Sequence, residues 1–531
     1  MFKFASFPAL TIVAILVIFV ASVLAWFWPS NNKAPQAMAN KRLGKNANFT
    51  VSKANSRLKD ARTNLHPECS DIGPGLAIGS LDSETVFQGW RQCAVQIQAP
   101  GRGKTTAQVV PHATQAPGPL VMTSNKADGI WEVFAARMFH GNVWIFDPTN
   151  ILNRKKPSTD HFNIIGLVKT STDAEKVGAI FESATHGDGS RDGNPNAHFD
   201  LMGSKIIGAL LLAANAAGKD DRDVFRWAMT TNEDEPAAIL ESHGFNNQAA
   251  TLRGLKKQPE ETRGSVWATA QRCASPFEHE DYLASIRPVN DRHRVFDPVA
   301  FASSTDTLIL LGSKTAGATS ALVSCLVWSV FMSAKTQAST GPNERLRVPL
   351  VMELDEVGNT VMLPELPEWY SYSGALGIVI SSYFQSVAQG RGLFGENGMN
   401  TLLGAANYLV YGGGGTETDF VSSLSKIIGQ YDHKTISHSS SYNGRSGHGR
   451  STSDQIQRRD ILSASDLSNL APGTMYVRTS DGENGILKAQ YWFENKRLAE
   501  ELTPQVGQLK LGFKNSGPED KDLVDVRQHK R

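Results

Sequence analysis

The sequence predicts an α/β protein with a largely parallel sheet, an inserted all-α domain and one membrane-spanning helix at the N-terminus. Three observations support this fold class. Short apolar runs alternate with loops and helical segments in two separate parts of the chain, which is typical of βαβ units. The part between them has a helical pattern, and an uncharged apolar run lies near the N-terminus.

The apolar run at residues 9–28 has about the 20 residues that a spanning helix needs. Basic residues are far more frequent after it than before it, so the positive-inside rule places the rest of the chain in the cytoplasm. The sequence Ala37-Met38-Ala39 resembles a signal-peptidase site, but the run is longer than that of a signal peptide. We therefore predict a single-pass protein of the inner (cytoplasmic) membrane.

The predicted strands lie on both sides of the helical block. Each is a short apolar run followed by a loop or a helical segment, as in a parallel sheet. The runs are residues 94–97, 120–122, 143–146, 307–311, 348–352, 377–380 and 408–411.

The domain boundaries follow from these patterns and from composition. The four cysteines are dispersed and contain no CxxC pair, which excludes a disulfide framework or a zinc motif, and the net charge of +1 points to no particular partner. The predicted regions are a tail (1–8), the anchor (9–29), a basic juxtamembrane linker (30–70), a nucleotide-binding domain in two parts (71–171 and 289–498), the all-α insertion (172–288), a low-complexity mobile loop (437–453) and a disordered C-terminal tail (499–531).

A glycine-rich loop between the first predicted strand of the sheet and a helix resembles a phosphate-binding loop. In such loops backbone N–H groups surround the phosphates, the lysine reaches the β- and γ-phosphates, and the hydroxyl binds Mg²⁺. Gln98 stands where the pattern has its first glycine. The predicted nucleotide-binding residues are Gly101, Arg102, Gly103, Lys104, Thr105 and Thr106.

Two acidic residues follow the strand at 348–352, and an amide follows the next strand. Asp355 is predicted to bind Mg²⁺ together with Thr105, and Glu356 to polarise the attacking water. Gln385 would sense the γ-phosphate or orient that water. Lys104, Glu356 and Gln385 are therefore the predicted catalytic residues, with ATP and Mg²⁺ as ligands.

These motifs, in this order, resemble the type IV secretion coupling proteins, the TraG/TraD-like ATPases of conjugation. The resemblance covers residues 70–495 and includes a Gln-Ser-x-x-Gln element made of Gln385, Ser386 and Gln389. The other stretches that carry it are residues 122–126, 143–148, 296–310, 363–374, 380–413 and 458–473.

The resemblance implies a RecA-like domain, an all-α domain facing the cytoplasm, and a ring of six subunits. It also implies delivery of single-stranded DNA, or of a relaxase–DNA complex, to the proteins of a secretion channel. Three features depart from the family, and the first is Gln98 in place of the first glycine of the phosphate-binding loop. The sequence shows one spanning helix where relatives commonly have two, and the turn around Gly374 lacks the arginine found in many relatives. Arg391, Arg458 and Arg459 are the candidates for a cation supplied in trans.

Two other functions remain open at this point. One is a DNA translocase of the FtsK/HerA kind, which would predict several membrane helices or a C-terminal winged-helix module; the sequence shows neither. The other is a slow, nucleotide-dependent scaffold that recruits proteins for secretion. The unusual Gln98 and the absent turn arginine leave this second alternative open.

Overall fold

The computed structural model describes residues 33–65, 72–154, 160–185, 197–231, 233–287, 294–312, 317–415, 417–442 and 448–515. The predicted tail and spanning helix lie outside these residues. Within them, the helices Ala197–Ala216 and Ala318–Thr340 are long and apolar enough to cross a membrane. Their most apolar windows are 67% and 83% buried inside the protein, as expected for core helices.

Most strands of the described chain form one large sheet. The strands are β1 (Leu76–Leu81), β2 (Glu84–Gln88), β3 (Ala94–Ile97), β4 (Leu120–Ser124), β5 (Val143–Phe146), β6 (Asp160–His161), β7 (Arg294–Val295), β8 (Thr307–Leu311), β9 (Leu350–Leu354), β10 (Ile378–Phe384), β11 (Tyr408–Tyr411), β12 (Gln430–Tyr442), β13 (His448–Asp460), β14 (Thr474–Thr479) and β15 (Asn484–Lys488). The order in the large sheet is β2-β1-β15-β14-β11-β3-β10-β9-β4-β8-β5.

The seven strands from β11 to β5 in this order are parallel, which confirms the predicted largely parallel sheet. Each contains most or all of one of the predicted apolar runs. These strands are continuous apolar runs because both of their faces are buried. On the other side of β11, the antiparallel strands β14, β15, β1 and β2 extend the sheet, and the sequence did not predict them.

The helices cover the sheet and form the block between β6 and β7, which contains α5 to α11. They are α1 (Lys33–Leu43), α2 (Ala54–Asn64), α3 (Val110–Gln115), α4 (Ile130–Arg137), α5 (Ser171–Thr185), α6 (Ala197–Ala216), α7 (Asp221–Met229), α8 (Glu235–Ser242), α9 (Asn246–Lys256), α10 (Glu260–Cys273), α11 (Glu280–Leu283), α12 (Pro298–Ala302), α13 (Gly317–Thr340), α14 (Leu366–Leu376), α15 (Val387–Ala405), α16 (Thr418–Ile428), α17 (Ala464–Ser468) and α18 (Lys496–Asn515). The predicted bounds of the inserted domain stay a prediction.

The predicted linker is wrong for residues 33–65, which fold onto the sheet. Asn40 forms two hydrogen bonds with the backbone of Ile486 in β15, one through Nδ2 (2.9 Å) and one through Oδ1 (2.8 Å). Phe49 is fully buried, and Arg57 donates a hydrogen bond to the Tyr408 hydroxyl (2.7 Å). The sequence did not reveal these contacts, because the partners lie far away in the sequence and the segment itself is basic and polar.

The described residues of the predicted mobile loop at 437–453 belong to two strands. β12 and β13 pair with each other along their whole length as an antiparallel ribbon outside the large sheet. Backbone hydrogen bonds hold such a ribbon, so its strands need no apolar sequence. Residues 443–447 lie outside the described residues.

The first part of the predicted disordered tail, 499–515, belongs to α18. Leu502, Val506 and Leu509 are buried in the same cluster as Trp131 of α4. Their spacing of four and three residues places them on one helix face, and the many charges between them occupy the other positions. The prediction of disorder is therefore wrong over this range, and residues 516–531 lie outside the described residues.

A fully buried arginine ties α4 to the sheet. Arg137 donates hydrogen bonds to the Thr307 hydroxyl (2.9 Å) and to the carbonyl oxygens of Ala116 (2.7 Å), Gly118 (2.6 Å) and Thr305 (3.0 Å). Burial lowers the pKa of the guanidinium to about 10. Its partners lie at or before the N-terminal ends of β4 and β8. Arg137 is therefore at the edge of the sheet opposite to the phosphate-binding loop.

We expect Arg137→Met to lower the free energy of unfolding by about 3 kcal/mol or more, because it leaves the buried carbonyl groups of Ala116 and Gly118 unpaired. Denaturant unfolding followed by circular dichroism measures this change. Arg497→Met, at an exposed position of α18, is the control and should be nearly neutral. A loss below about 1 kcal/mol for Arg137→Met would contradict the expectation.

Candidate nucleotide site

The loop between β3 and the following helix has the backbone of a phosphate-binding turn. Gly101 and Gly103 have φ angles of 76° and 81°, a region that favours glycine. A Cβ atom on Gly103 would lie 2.6 Å from Cε1 of Tyr491, so this position has no room for a side chain either. Gly103 therefore meets a conformational and a steric requirement at once.

Gln98, at the position of the usual first glycine, fits without disturbing the strand. Its backbone N–H donates to the Phe384 carbonyl (3.0 Å), and its Nε2 donates to Gln96 Oε1 (3.3 Å). Gly412 directly follows β11, and a Cβ atom on it would lie 2.6 Å from Gln98 Cγ. The glutamine therefore occupies the space that a side chain at position 412 would need. The departure from the motif is thus compensated by a neighbouring glycine.

The predicted magnesium ligands lie in hydrogen-bonding contact. The Thr105 hydroxyl donates to Asp355 Oδ2 (3.1 Å), and Asp355 is only 3% exposed. Burial raises the pKa of this carboxyl to about 6, while the charge of Lys104 opposes the rise.

The donor set suits a magnesium ion that is shared with phosphates. Within the described residues, no group of three or more His, Cys, Asp or Glu side chains is arranged to hold a metal alone. One carboxylate and one hydroxyl match Mg²⁺, which takes few protein ligands and completes its shell with phosphate oxygens and water.

Lys104 is buried at 8% exposure, and its Nζ has no hydrogen-bond partner within the described residues. Glu356 Oε1 lies 3.9 Å from this Nζ. A buried ammonium group without hydrogen bonds is costly, and phosphate oxygens would supply the missing acceptors. Lys104 is therefore placed as a phosphate-binding lysine would be.

Two amides hold the second carboxylate. Gln385 Nε2 donates to Glu356 Oε2 (2.6 Å), and Asn359 Nδ2 donates to the same atom (2.9 Å). Glu356 itself has a φ of 57°, which is uncommon for a residue with a side chain. Gln389 Oε1 accepts from the Gln385 backbone N–H (3.0 Å), so both glutamines of the Gln-Ser-x-x-Gln element contribute to the arrangement.

Asn359 was missed by the sequence analysis. An amide three residues after the acidic pair was the available signal, but only the turn that begins at Glu356 brings it back to the carboxylate.

The remaining loop residues stabilise the turn. Arg102 Nη1 donates to the Leu470 carbonyl (2.8 Å), and the Thr106 hydroxyl donates to the Gly103 carbonyl (3.1 Å). A small cleft beside the loop is lined by Arg102, Gly103, Lys104, Gln108 and Met475, among others.

The candidate trans arginines are not part of this cluster. Arg391 pairs with Glu396 (3.1 Å) on α15, and Arg458 lies 3.7 Å from Asp432 on the ribbon. Arg459 is exposed on the same ribbon. The structure therefore brings together Lys104, Thr105, Asp355, Glu356 and Gln385. It leaves the three arginines at the surface, where their role stays a prediction.

Residues 349–472 match the family model described as the TraM recognition site of TraD and TraG. This segment extends from β9 to the end of α17 and contains Asp355, Glu356 and Gln385. No curated protein matches the sequence of the chain.

Solved structures of the bacterial conjugative coupling protein TrwB have a similar fold. The unbound form has a TM-score of 0.55 at 16% identity, covering 76% of this chain and 85% of that one. The complex with ADP and Mg²⁺ has a TM-score of 0.53 at 14% identity, covering 76% and 85%. The complex with the ATP analogue ADPNP has the same score and identity, covering 76% and 86%.

Identities this low establish the fold alone, and they show that the chain has a fold similar to that of TrwB. The match at residues 349–472 is independent of that comparison, because it is made on sequence. The resemblance to the type IV secretion coupling proteins is thus confirmed, by family over residues 349–472 and by fold over most of the chain.

Proposed function

We propose that this protein is a membrane-anchored ATPase that couples ATP hydrolysis to the delivery of DNA or relaxase–DNA complexes into a type IV secretion channel. The observation that carries the proposal is the buried Lys104 ammonium, which lies between the glycine loop and Glu356 and has no hydrogen bond to any described residue. It gives a reason for a phosphate ligand at this loop, in a chain with the fold of the coupling proteins.

Each residue of the cluster has a chemical role in this proposal. Backbone N–H groups of the loop and the Lys104 ammonium bind the β- and γ-phosphates of ATP. Thr105 and Asp355 hold Mg²⁺, which neutralises phosphate charge when bound. Glu356 accepts a hydrogen bond from the attacking water. Gln385 and Asn359 fix the carboxylate of Glu356 through Oε2, which leaves Oε1 facing Lys104 and the phosphates.

The partners and the location belong to the same proposal. The resemblance to the coupling proteins implies a ring of six subunits, in which an adjacent subunit could use the candidate arginines at the surface. Single-stranded DNA, alone or with relaxase, is the proposed cargo. Segment 349–472 is the proposed contact for proteins that prepare the DNA, since its family is described by TraM recognition. The run at 9–29 anchors the protein in the inner membrane, beside the channel.

A slow recruitment scaffold is the second candidate, and one observation favours it. The predicted turn at Gly374 is the last part of α14 and contains no arginine, and Gly374 is so close to the Arg91 carbonyl that a Cβ would lie 2.2 Å from that oxygen. No side chain can extend from this glycine. Rapid hydrolysis would therefore depend on Arg391, Arg458 or Arg459 of an adjacent subunit.

We expect the full-length protein in detergent to hydrolyse ATP, with single-stranded DNA increasing the rate. Lys104→Ala should abolish hydrolysis because it removes the phosphate-binding charge. Lys257→Ala, at an exposed position after α9, is the control and should retain activity. A phosphate-release assay measures the rates. If DNA gives no stimulation and secretion is intact with Lys104→Ala, the protein is a scaffold and not a motor.

Glu356→Gln should retain nucleotide binding and lose hydrolysis by about 10²–10⁴-fold, because the amide accepts a proton from water poorly. Asn359→Ala should give a smaller loss, since Gln385 still holds the carboxylate. Binding is measured with a fluorescent ATP analogue and hydrolysis by phosphate release. Equal rates for Glu356→Gln and the parent protein would exclude Glu356 as the base.

Binding of Mg²⁺·ADP should release protons near pH 6 and almost none at about pH 8. The raised pKa of Asp355 leaves about half of its carboxyls protonated near pH 6, and metal binding requires the ionised form. Calorimetry in buffers of different ionisation enthalpy counts these protons. Asp355→Asn should abolish the pH dependence, and equal proton release at both pH values would contradict the assignment.

A further inference from the structure

A cluster of three buried polar side chains lies directly beneath the candidate site. His112, Glu353 and Tyr383 are each fully buried. His112 Nδ1 lies 2.9 Å from Glu353 Oε1, and the Tyr383 hydroxyl donates to Glu353 Oε2 (2.6 Å). Neither the fold nor the chemistry proposed above accounts for these groups.

The cluster and the site use the same elements, and one connection of the site recurs one layer lower. Glu353 is two residues before Asp355, and Tyr383 is two residues before Gln385. The helical turn Thr105–Val109 continues directly into α3, and the two together are called the loop helix. In the site, the Thr105 hydroxyl of this helix binds Asp355. Below, His112 from the same continuous helical segment binds Glu353.

The other end of the imidazole reaches a fourth element. His112 Nε2 lies 3.0 Å from the Ala77 carbonyl of β1, and Gln115 Oε1 accepts from the Ala77 N–H (2.8 Å). The pairing of β1 with β2 shifts register between Ala77 and Gly79. Helix α3 is thus attached through His112 to β1 and β9, and through Glu353 to Tyr383 of β10.

The direction of these bonds distinguishes them from ordinary core packing. Apolar contacts in a core hold elements together without specifying direction, whereas hydrogen bonds fix both a distance and an angle. Buried polar side chains are also costly unless all of them are paired. Three paired groups between the helix and the two strands that lead to the site therefore favour a role in setting their relative positions.

We propose that His112, Glu353 and Tyr383 form a positioning network that fixes the loop helix against β9 and β10. Lys104 and Thr105, Asp355 and Glu356, and Gln385 then meet at the distances that hydrolysis requires. The network touches no substrate and acts only through these residues. This inference rests on the proposed ATP hydrolysis.

The test compares variants of the full-length protein in steady-state ATP hydrolysis. Tyr383→Phe and Glu353→Leu should lower kcat by about tenfold or more with little change in KM, because small misplacements of reacting groups lower rates steeply. Tyr476→Phe in β14 is the matched control and should not change kcat. Its hydroxyl is buried and has no hydrogen-bond partner within the described residues.

Glu353→Gln tests whether the hydrogen-bond connections of the network are what maintains kcat. Because His112 Nε2 faces a carbonyl, Nδ1 can accept a hydrogen bond from the new amide, and the amide oxygen can accept from Tyr383. Glu353→Gln should therefore recover most of the kcat that Glu353→Leu loses. A purely structural role would move the melting temperature without this recovery of kcat.

The outcomes are distinct. If Tyr383→Phe and Glu353→Leu unfold at lower temperature but retain the parent kcat, the network is only structural and the inference is wrong. If Glu353→Leu does not fold, Tyr383→Phe, which removes a single oxygen, decides alone. If the parent protein does not hydrolyse ATP, or Lys104→Ala hydrolyses it equally well, the proposed function fails and the inference fails with it.

Discussion

The buried ammonium group of Lys104 is the constraint around which the nucleotide-binding half of the protein is organised. A charge at 8% exposure needs compensation, and among the described residues the Glu356 carboxylate lies 3.9 Å from it. The positive φ angles of Gly101 and Gly103 are compatible with the turn that directs loop N–H groups to the same place. The parallel strands β9 and β10 end beside it and deliver the carboxylates and the amide.

The parallel core was predictable because its strands are buried on both faces and so are continuous apolar runs. Parts of the fold that are held by residues distant in the sequence were not predictable. Asn40 looks like any polar residue, and only the backbone of Ile486 gives it a structural role. The apolar spacing of Leu502, Val506 and Leu509 was visible, but the surrounding charges favoured a tail. The ribbon was missed because its pairing depends on the backbone and not on apolar side chains.

The candidate site was predictable where a motif joins neighbouring residues, as in Gly103-Lys104-Thr105 and Asp355-Glu356. It was not predictable where two distant positions compensate each other. Gln98 weakened the motif in the sequence, and the space left by Gly412 removes that objection in three dimensions. The cluster of His112, Glu353 and Tyr383 was not predictable for the same reason, because its members come from three elements that are distant in the sequence.

The packing of residues 33–65 on the sheet has a mechanical consequence. A pulling force on the chain before residue 33 would first load α1 and the paired hydrogen bonds between Asn40 and Ile486. From β15 the load passes through β14 and β11 before it reaches β3, the strand that carries the phosphate-binding loop. Tension on the chain before residue 33 would thus reach the phosphate-binding loop along a path of strands that crosses three ladders.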